Sequence, residues 1–494
     1  MILPTWNDFK KMADRGNLIP LFEEIHLDCE TPISLFKKID DGRFSFLLES
    51  GEGNERWARY SFLGKGSSHL LRTKGKNFER WHRERLDQKG EADHPLKTLQ
   101  DLLRAYRPVG FEGLPRFFGG AVGFINYDVV RFFERLPEKA IEEIEVDSSH
   151  FLITDTLVIF DKVTQKVTVV ADLFLEEYPS LERAYEEGRA KIERIVSELT
   201  ASASPQPPNC SPSPPLFRNH LKKEQFLEMV KKAKAYIRGG DIIQVVLSQR
   251  FSAELRCDPF DLYRALRATN PSPYLFFLRF GESVHLGASP EVLVRLEERT
   301  ISLRPLAGTR RRGKNPEEDR ALEAELLNDE KERAEHIMLV DLGRNDVGRV
   351  AEVGSVRVTE LMGVERYSHV MHIVSHIQGT LAQGKNAFDV FRAAFPAGTV
   401  TGAPKIRAME IIDELEPVRR GPYAGAVGYF GFSGNMDTCI AIRSLFVKDG
   451  IAYFQAGAGI VADSDPEKEY EETLNKARAI FKAFELVKGG WGVR

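Results

Sequence analysis

At 494 residues the chain exceeds what one ordinary hydrophobic core organises, so two or three domains or subdomains are expected. Its 42% hydrophobic and 29% charged residues describe a soluble globular protein, and no apolar run reaches the ~18 residues a membrane helix needs. A formal net charge of −4 argues against nucleic acid as the main partner, because a phosphate backbone selects basic surfaces.

Asp8, Lys10, Lys11, Asp14 and Arg15 occupy the stretch where a signal peptide needs an apolar run, so a cytoplasmic location is expected. Phe44–Glu49 and Phe151–Asp161 are rich in β-branched and aromatic residues, and each predicts one strand. Lys166–Ala171 predicts a hairpin partner for the second, and the apolar spacing of Tyr178–Leu199 predicts a helix. From Ser202 to Pro215 six prolines and four serines leave nothing to bury, which predicts a semi-extended tether. The expected division is therefore 1–200, a linker over 201–217, and 218–490.

The second part opens with a predicted helix, Lys222–Arg238, closed by Gly239-Gly240. Strands are predicted over Ile242–Phe251, Tyr274–Phe280, Val292–Leu296, Tyr367–Gln378, Ala424–Phe432, Asp437–Lys448 and Ile451–Ala456. So many strands joined by short turns predict an α+β fold, with large antiparallel sheets flanked by helices. No GxGxxG or GxxxxGK[ST] loop is present, which argues against a dinucleotide fold and an NTPase. Cys29, Cys210, Cys257 and Cys439 share no CxxC spacing and are expected to be free thiols, Cys439 in the core.

Asn315-Pro316 starts a helix that runs, with a break near Asn328, to Leu342-Gly343. On it Glu332 and Glu335 stand at i,i+3 spacing and share one face. Ser464-Asp465-Pro466-Glu467 resembles a capping box that opens a second helix, on which Glu469 and Glu472 repeat the spacing. Two such pairs are either solvated glutamates on charge-rich helices or an all-oxygen site for a hard cation such as Mg²⁺.

Three glycine-rich segments suit close backbone approach to an anion: PLAGT (305–309), PAGTVTGAPK (396–405) and QAGAG (455–459). The second precedes a predicted helix, Lys405–Glu414, whose N-terminus favours negative charge. Arg443 interrupts an apolar run, which leaves a salt bridge or a ligand contact open. His369 and His372 are predicted on opposite faces of their strand.

These loops, with AEHIMLVDLGRND (334–346), resemble the chorismate-utilising enzymes over about residues 222–487. Within that family nearly the whole chain resembles the anthranilate synthase component I group. The resemblance implies two interleaved subdomains whose sheets pack as a sandwich. It implies chorismate amination at C2, then pyruvate elimination to anthranilate, the first step of tryptophan biosynthesis. Ala307 stands where 4-amino-4-deoxychorismate synthases typically carry a nucleophilic lysine, and Gln244 where isochorismate and salicylate synthases carry a water-activating lysine. Both argue against those rival activities, and the full set of acidic and basic residues argues against a silent tryptophan-binding subunit.

Carried over by motif, Glu335 and Glu472 would bind Mg²⁺ directly, and Glu332 and Glu469 through water or as alternates. Gly308, Thr309, Tyr423, Arg443, Gly457, Ala458 and Gly459 would line the chorismate site, with Lys476 a further carboxylate contact. Glu291 would act as general acid, His372 as the elimination base, and Thr399 would support the substrate or the histidine. His369 would be structural. Leu48, Glu49 and Ser50 of LLES, with Asn270, Pro271, Pro273, Tyr274 and Leu275, would form a tryptophan feedback pocket, Leu275 standing where methionine is frequent. Ammonia would come from a glutamine amidotransferase small subunit (component II) in a heteromeric complex such as a heterotetramer.

Overall fold

The computed structural model describes residues 1–51, 59–66, 69–82, 85–202, 215–367 and 370–488. His369, Cys210 and most of the proline-rich stretch lie outside them. Two antiparallel sheets of twelve strands each form the centre. Both take strands from either side of residues 203–214. In the first sheet Phe44–Glu49 pairs with Tyr274–Phe280, register Leu275↔Glu49; in the second, Gly120–Ile125 pairs with Ala426–Gly431. The long-range pairing thus interleaves the two parts of the chain.

The sheets face each other across an aromatic core. Phe46, Phe62 and Phe276 from the first meet Phe124, Val427 and Cys439 from the second. Full burial of each such large apolar side chain stabilises by about 1.5–3 kcal/mol relative to exposure. Helices cover the outer faces. Leu181–Thr200, Pro259–Thr269 and Pro466–Lys488 pack on the first sheet, and Pro95–Arg104, Glu330–Gly348 and Ala387–Ala394 on the second. The expected α+β sandwich is observed.

Several predicted elements keep their place: Phe44–Glu49 and Tyr274–Phe280 have the predicted bounds, and the first N-terminal helix of the second part is Lys223–Arg238. The helix expected to break near Asn328 divides into Pro316–Asn328 and Glu330–Gly348. Asp329 makes that break productive, because its carboxylate accepts from the amides of Lys331 and Glu332 and caps the second helix. The cap of Pro466–Lys488 is shifted by one residue from the predicted Ser464. Asp465 Oδ1 accepts from Lys468 N at 3.0 Å, while Ser464 Oγ accepts from Val461 N at 3.0 Å.

Two predicted strands need correction. Phe151–Asp161 is two strands, Ser149–Ile153 in the second sheet and Thr156–Asp161 in the first. Asp437–Lys448 likewise divides into Met436–Ile440 and Ser444–Lys448, on different sheets. Arg443 therefore sits in a sheet-to-sheet link rather than within a strand, with φ 51°.

Candidate active site

Two sheet-to-sheet links run side by side. One joins Ser283–Ser289 to Val292–Glu297 and carries Glu291; the other joins Met436–Ile440 to Ser444–Lys448 and carries Arg443. Ser289 Oγ donates to Ile440 O at 2.7 Å, Ile440 N to Glu291 O at 3.1 Å, and Ala288 N to Arg443 O at 3.1 Å. An acid and a guanidinium are thereby fixed by backbone bonds where the chain changes sheet.

Beside these links opens a cavity of about 720 Å³. Its wall includes all four glutamates of the two i,i+3 pairs, together with Glu291, His372, Thr399, Gly308, Thr309, Tyr423, Arg443, Gly457, Gly459 and Lys476. Ala307 and Gln244 line it too. Ala458 does not. Its methyl is fully buried on the opposite face of Ile451–Ile460, packed with Ala408 and Ile411, because side chains alternate along a strand. The N-terminus of the helix Lys405–Leu415 is also absent from the wall. Gly402 and Ala403 pair with Val245 and Gln244, which turns that helix start away and leaves Thr399 and Val400 at the cavity.

Glu291 is buried, and burial pushes its carboxyl up to about 8, with Thr399 and the Lys476 charge opposing. At neutral pH it is protonated and can donate. Thr399 stands beside Glu291, and its buried hydroxyl has no hydrogen-bond partner among the described residues. His372 lines the same cavity from Val370–Thr380. Burial pushes its imidazole down to about 4, so it is neutral and can accept a proton. Its Nδ1 is 3.1 Å from Gly308 O and 3.0 Å from Thr309 Oγ1. A carbonyl only accepts, so Nδ1 carries the proton and the Nε2 lone pair is left for chemistry. Gly308 reaches that position at a bulge in Leu306–Arg311, with φ 67°.

The carboxylates stand around the cavity, each held by a neighbour. Gln244 Nε2 donates to Glu335 Oε1 at 3.3 Å, and Lys476 Nζ meets Glu472 Oε1 at 2.6 Å. Arg310 Nη1 is 3.3 Å from Glu332 Oε1. Burial and the neighbouring Glu332 raise the Glu335 carboxyl; burial and Glu472 raise that of Glu469, against a bond from Ser464. Such mutual repulsion among oxygen donors is relieved by a hard dication. Arg443 makes no ion pair among the described residues, and burial lowers its pKa. Of the two alternatives for this residue, the geometry favours a ligand contact.

Lys331 and Asn475 also line the cavity and were not singled out from sequence. Asn475 stands three residues beyond Glu472, so the same i,i+3 rule points to it. Lys476, besides holding Glu472, donates to Gly457 O at 2.9 Å and so ties the helix to the glycine strand.

The LLES and NPSPY residues meet, but on two faces. Glu49 is buried, with Oε1 accepting from Tyr263 Oη and Arg267 Nε, both at 2.6 Å. Leu275 pairs with it in register and packs on the helix side. Leu48 and Tyr274 face the inter-sheet core, where Tyr274 Oη donates to Asp437 Oδ1 at 2.9 Å. The Ser50 carbonyl accepts from Lys162 Nζ, and Gly51 N donates to Ser272 O at 2.8 Å. Asn270, Pro271 and Pro273 reach the large cavity itself.

The chorismate binding enzyme family matches residues 45–482. Anthranilate synthase component 1 of Acetivibrio thermocellus is 48% identical over 98% of this chain and 99% of its own, and that of Aquifex aeolicus is 50% identical over 97% of each. Among solved structures, anthranilate synthase component I of Streptococcus pneumoniae TIGR4 superposes with a TM-score of 0.78 at 40% identity, covering 87% of this chain and 93% of that one. The menaquinone-specific isochorismate synthase of Escherichia coli shares the fold at a TM-score of 0.70 and 20% identity, covering 97% and 98%. An α+β sandwich whose sheet-switch links face two glutamate-bearing helices, matched along its length by these relatives, identifies the chain as a member of the anthranilate synthase component 1 family of chorismate-binding enzymes.

Proposed function

We propose that the chain converts chorismate and ammonia to anthranilate and pyruvate, the first step of tryptophan biosynthesis, with Mg²⁺ bound beside the substrate. The single observation that carries this reading is the opposed pair in one cavity: a protonated buried Glu291 and a neutral His372. Opposite shifts of two groups assign an acid and a base at one pH.

Arg443 and the backbone amides of the glycine loops bind the substrate carboxylates. Glu291 gives its proton to the departing 4-hydroxyl as ammonia adds at C2, since hydroxide leaves poorly without one. His372 Nε2 then takes the C2 proton as pyruvate is eliminated and the ring becomes aromatic. Thr399 and Lys476 adjust the Glu291 proton, and Gly308 orients His372. Ala307 offers no nucleophile, which agrees with direct addition of ammonia.

The four glutamates suit Mg²⁺, which takes oxygen donors and keeps several waters. Glu335 and Glu472 would hold it directly, with Glu332 and Glu469 acting through water. Bound there, Mg²⁺ neutralises and orients the ring carboxylate. The name component 1 implies a second component, and we assign it the glutaminase that supplies ammonia, in a heterotetramer or similar complex. We also assign feedback by tryptophan to the LLES and NPSPY segments. That Asn270–Pro273 borders the substrate cavity supports a short physical route between the two sites.

The test is the initial rate of anthranilate fluorescence from chorismate and ammonium, with Mg²⁺ or excess EDTA, and with or without tryptophan. The reading predicts a Mg²⁺-dependent rate, rising with the NH₃ fraction up to about pH 8, where Glu291 ionises, and suppressed by tryptophan. Conversion to a 4-amino compound or to isochorismate, or no conversion, contradicts it.

A further inference from the structure

A second set of ligand-type side chains lies outside the substrate cavity. His69 opens the strand His69–Lys74, His82 ends Asn77–His82, and the hairpin register sets the two directly opposite. Their imidazoles stack with centroids 4.6 Å and planes 11° apart. Glu177 arrives from the other sheet. It closes the turn Leu175–Glu177 that follows the strand Lys166–Phe174.

His69 Nε2 is 3.4 Å from Glu177 Oε1, and His82 Nε2 is 3.6 Å from Glu177 Oε2. Both separations exceed the about 2.7–3.2 Å of a good N–H···O bond. Each carboxylate oxygen thus stands about as far from one imidazole nitrogen as the about 3.3–3.6 Å between neighbouring donors of an ion with bonds of about 2.0–2.2 Å. Among the described residues, this is the one group of three His, Cys, Asp or Glu ligand atoms all within 4.8 Å of one another. His82 Nε2 is buried and has no hydrogen-bond partner among the described residues.

Among the described residues, Arg80 pairs with Asp87, and Lys191 with Asp155 at 3.1 Å. The ring of Phe174 closes one side of His69, with centroids 5.6 Å apart. His69, His82 and Glu177 offer two imidazoles and one carboxylate, a mixed nitrogen–oxygen set that suits zinc, cobalt or nickel and disfavours Mg²⁺. We propose that His69, His82 and Glu177 bind one borderline divalent transition cation, which clips a hairpin of one sheet to the chain leaving the other. The imidazoles tilt out of their stack to aim both lone pairs at the ion, and water completes the coordination.

The experiment titrates metal-stripped full-length protein with Co²⁺ in the presence of excess Mg²⁺, reading stoichiometry and visible d–d absorption, and repeats thermal denaturation with Zn²⁺. The proposal predicts one Co²⁺ per chain with a four-coordinate spectrum, and a Tm that rises with Zn²⁺. Glu177→Gln and His82→Gln each weaken binding at least tenfold, while Glu335→Gln, in the substrate cavity, leaves it unchanged. Glu177→Gln keeps the polar volume at a half-buried position, so it remains informative should His82→Gln fold poorly. Wild-type protein that binds no Co²⁺ at millimolar concentration overturns the proposal. So does binding that survives Glu177→Gln unchanged, or that disappears with Glu335→Gln alone.

Discussion

Glu291 and His372 illustrate how burial alone produces opposite chemistry in two side chains. Removing water disfavours the charged form of each, which keeps the carboxyl protonated and the imidazole neutral. The sign of the pH dependence follows. The acid fails once it ionises, as pH rises through about 8, and the base fails once it is protonated, as pH falls through about 4. Initial rates of anthranilate formation, divided by the NH₃ fraction, should therefore be level between these limits and fall outside them. Glu291→Gln should lower kcat by about 100- to 10,000-fold, the usual range for a lost general acid, and abolish the alkaline limb. A variant that keeps that limb would show another group to be the acid. The residue types at this site were legible in the motifs. Their protonation was not, because it depends on which groups the fold buries together. Arg443 is similar: its run of sequence left a salt bridge and a ligand contact equally open. Its place in a left-handed turn between two strands, buried and without an ion pair among the described residues, favours the ligand contact.

Strand alternation explains why adjacent residues of QAGAG have different duties. Gly459 faces the cavity, and a Cβ there would lie 2.7 Å from Gln244 Nε2 and 3.9 Å from Glu335 Oε1. Gly459→Val should push the Gln244 amide off Glu335 and raise the KM for chorismate, with little change in Tm. Ala458 points into the layer beneath the helices, so Ala458→Leu should instead overpack the core, destabilising by about 1–3 kcal/mol. Steady-state kinetics and thermal denaturation of the two variants distinguish these effects; equal loss of Tm in both would contradict the assignment. The helix start at Asn315 was legible because a cap is local chemistry. The sheet changes at Thr154-Asp155 and Ala441–Arg443 were not. The strands on both sides of each break are buried, so the apolar run continues without a change of pattern.

Across the whole molecule, the two parts of the chain complete each other's sheets. Tyr274–Phe280 and Ala426–Gly431 would each lose a neighbouring strand if residues 1–202 were removed. A fragment starting at residue 215 should therefore expose apolar strand edges and aggregate, whereas the full chain should unfold as one unit. Size-exclusion chromatography of the fragment checks this, and a monodisperse, folded fragment would contradict it. The antiparallel α+β class was legible from strand number and short turns. The pairing was not, because partners more than two hundred residues apart leave no local signal. The buried pair of Arg420 and Glu416, at 2.7 Å, serves the same unity. Arg420 also donates to Val400 O and Val246 O, fixing the loop beside Thr399 against a strand of the first sheet.

On the proposed reading, one cavity performs amination and elimination with separate groups. Product analysis of His372→Met, incubated with chorismate, ammonium and Mg²⁺, tests that separation most directly. The account predicts that chorismate is consumed and 2-amino-2-deoxyisochorismate accumulates, with little anthranilate, while wild-type protein yields anthranilate alone. Anthranilate formed by His372→Met at the wild-type rate would contradict it.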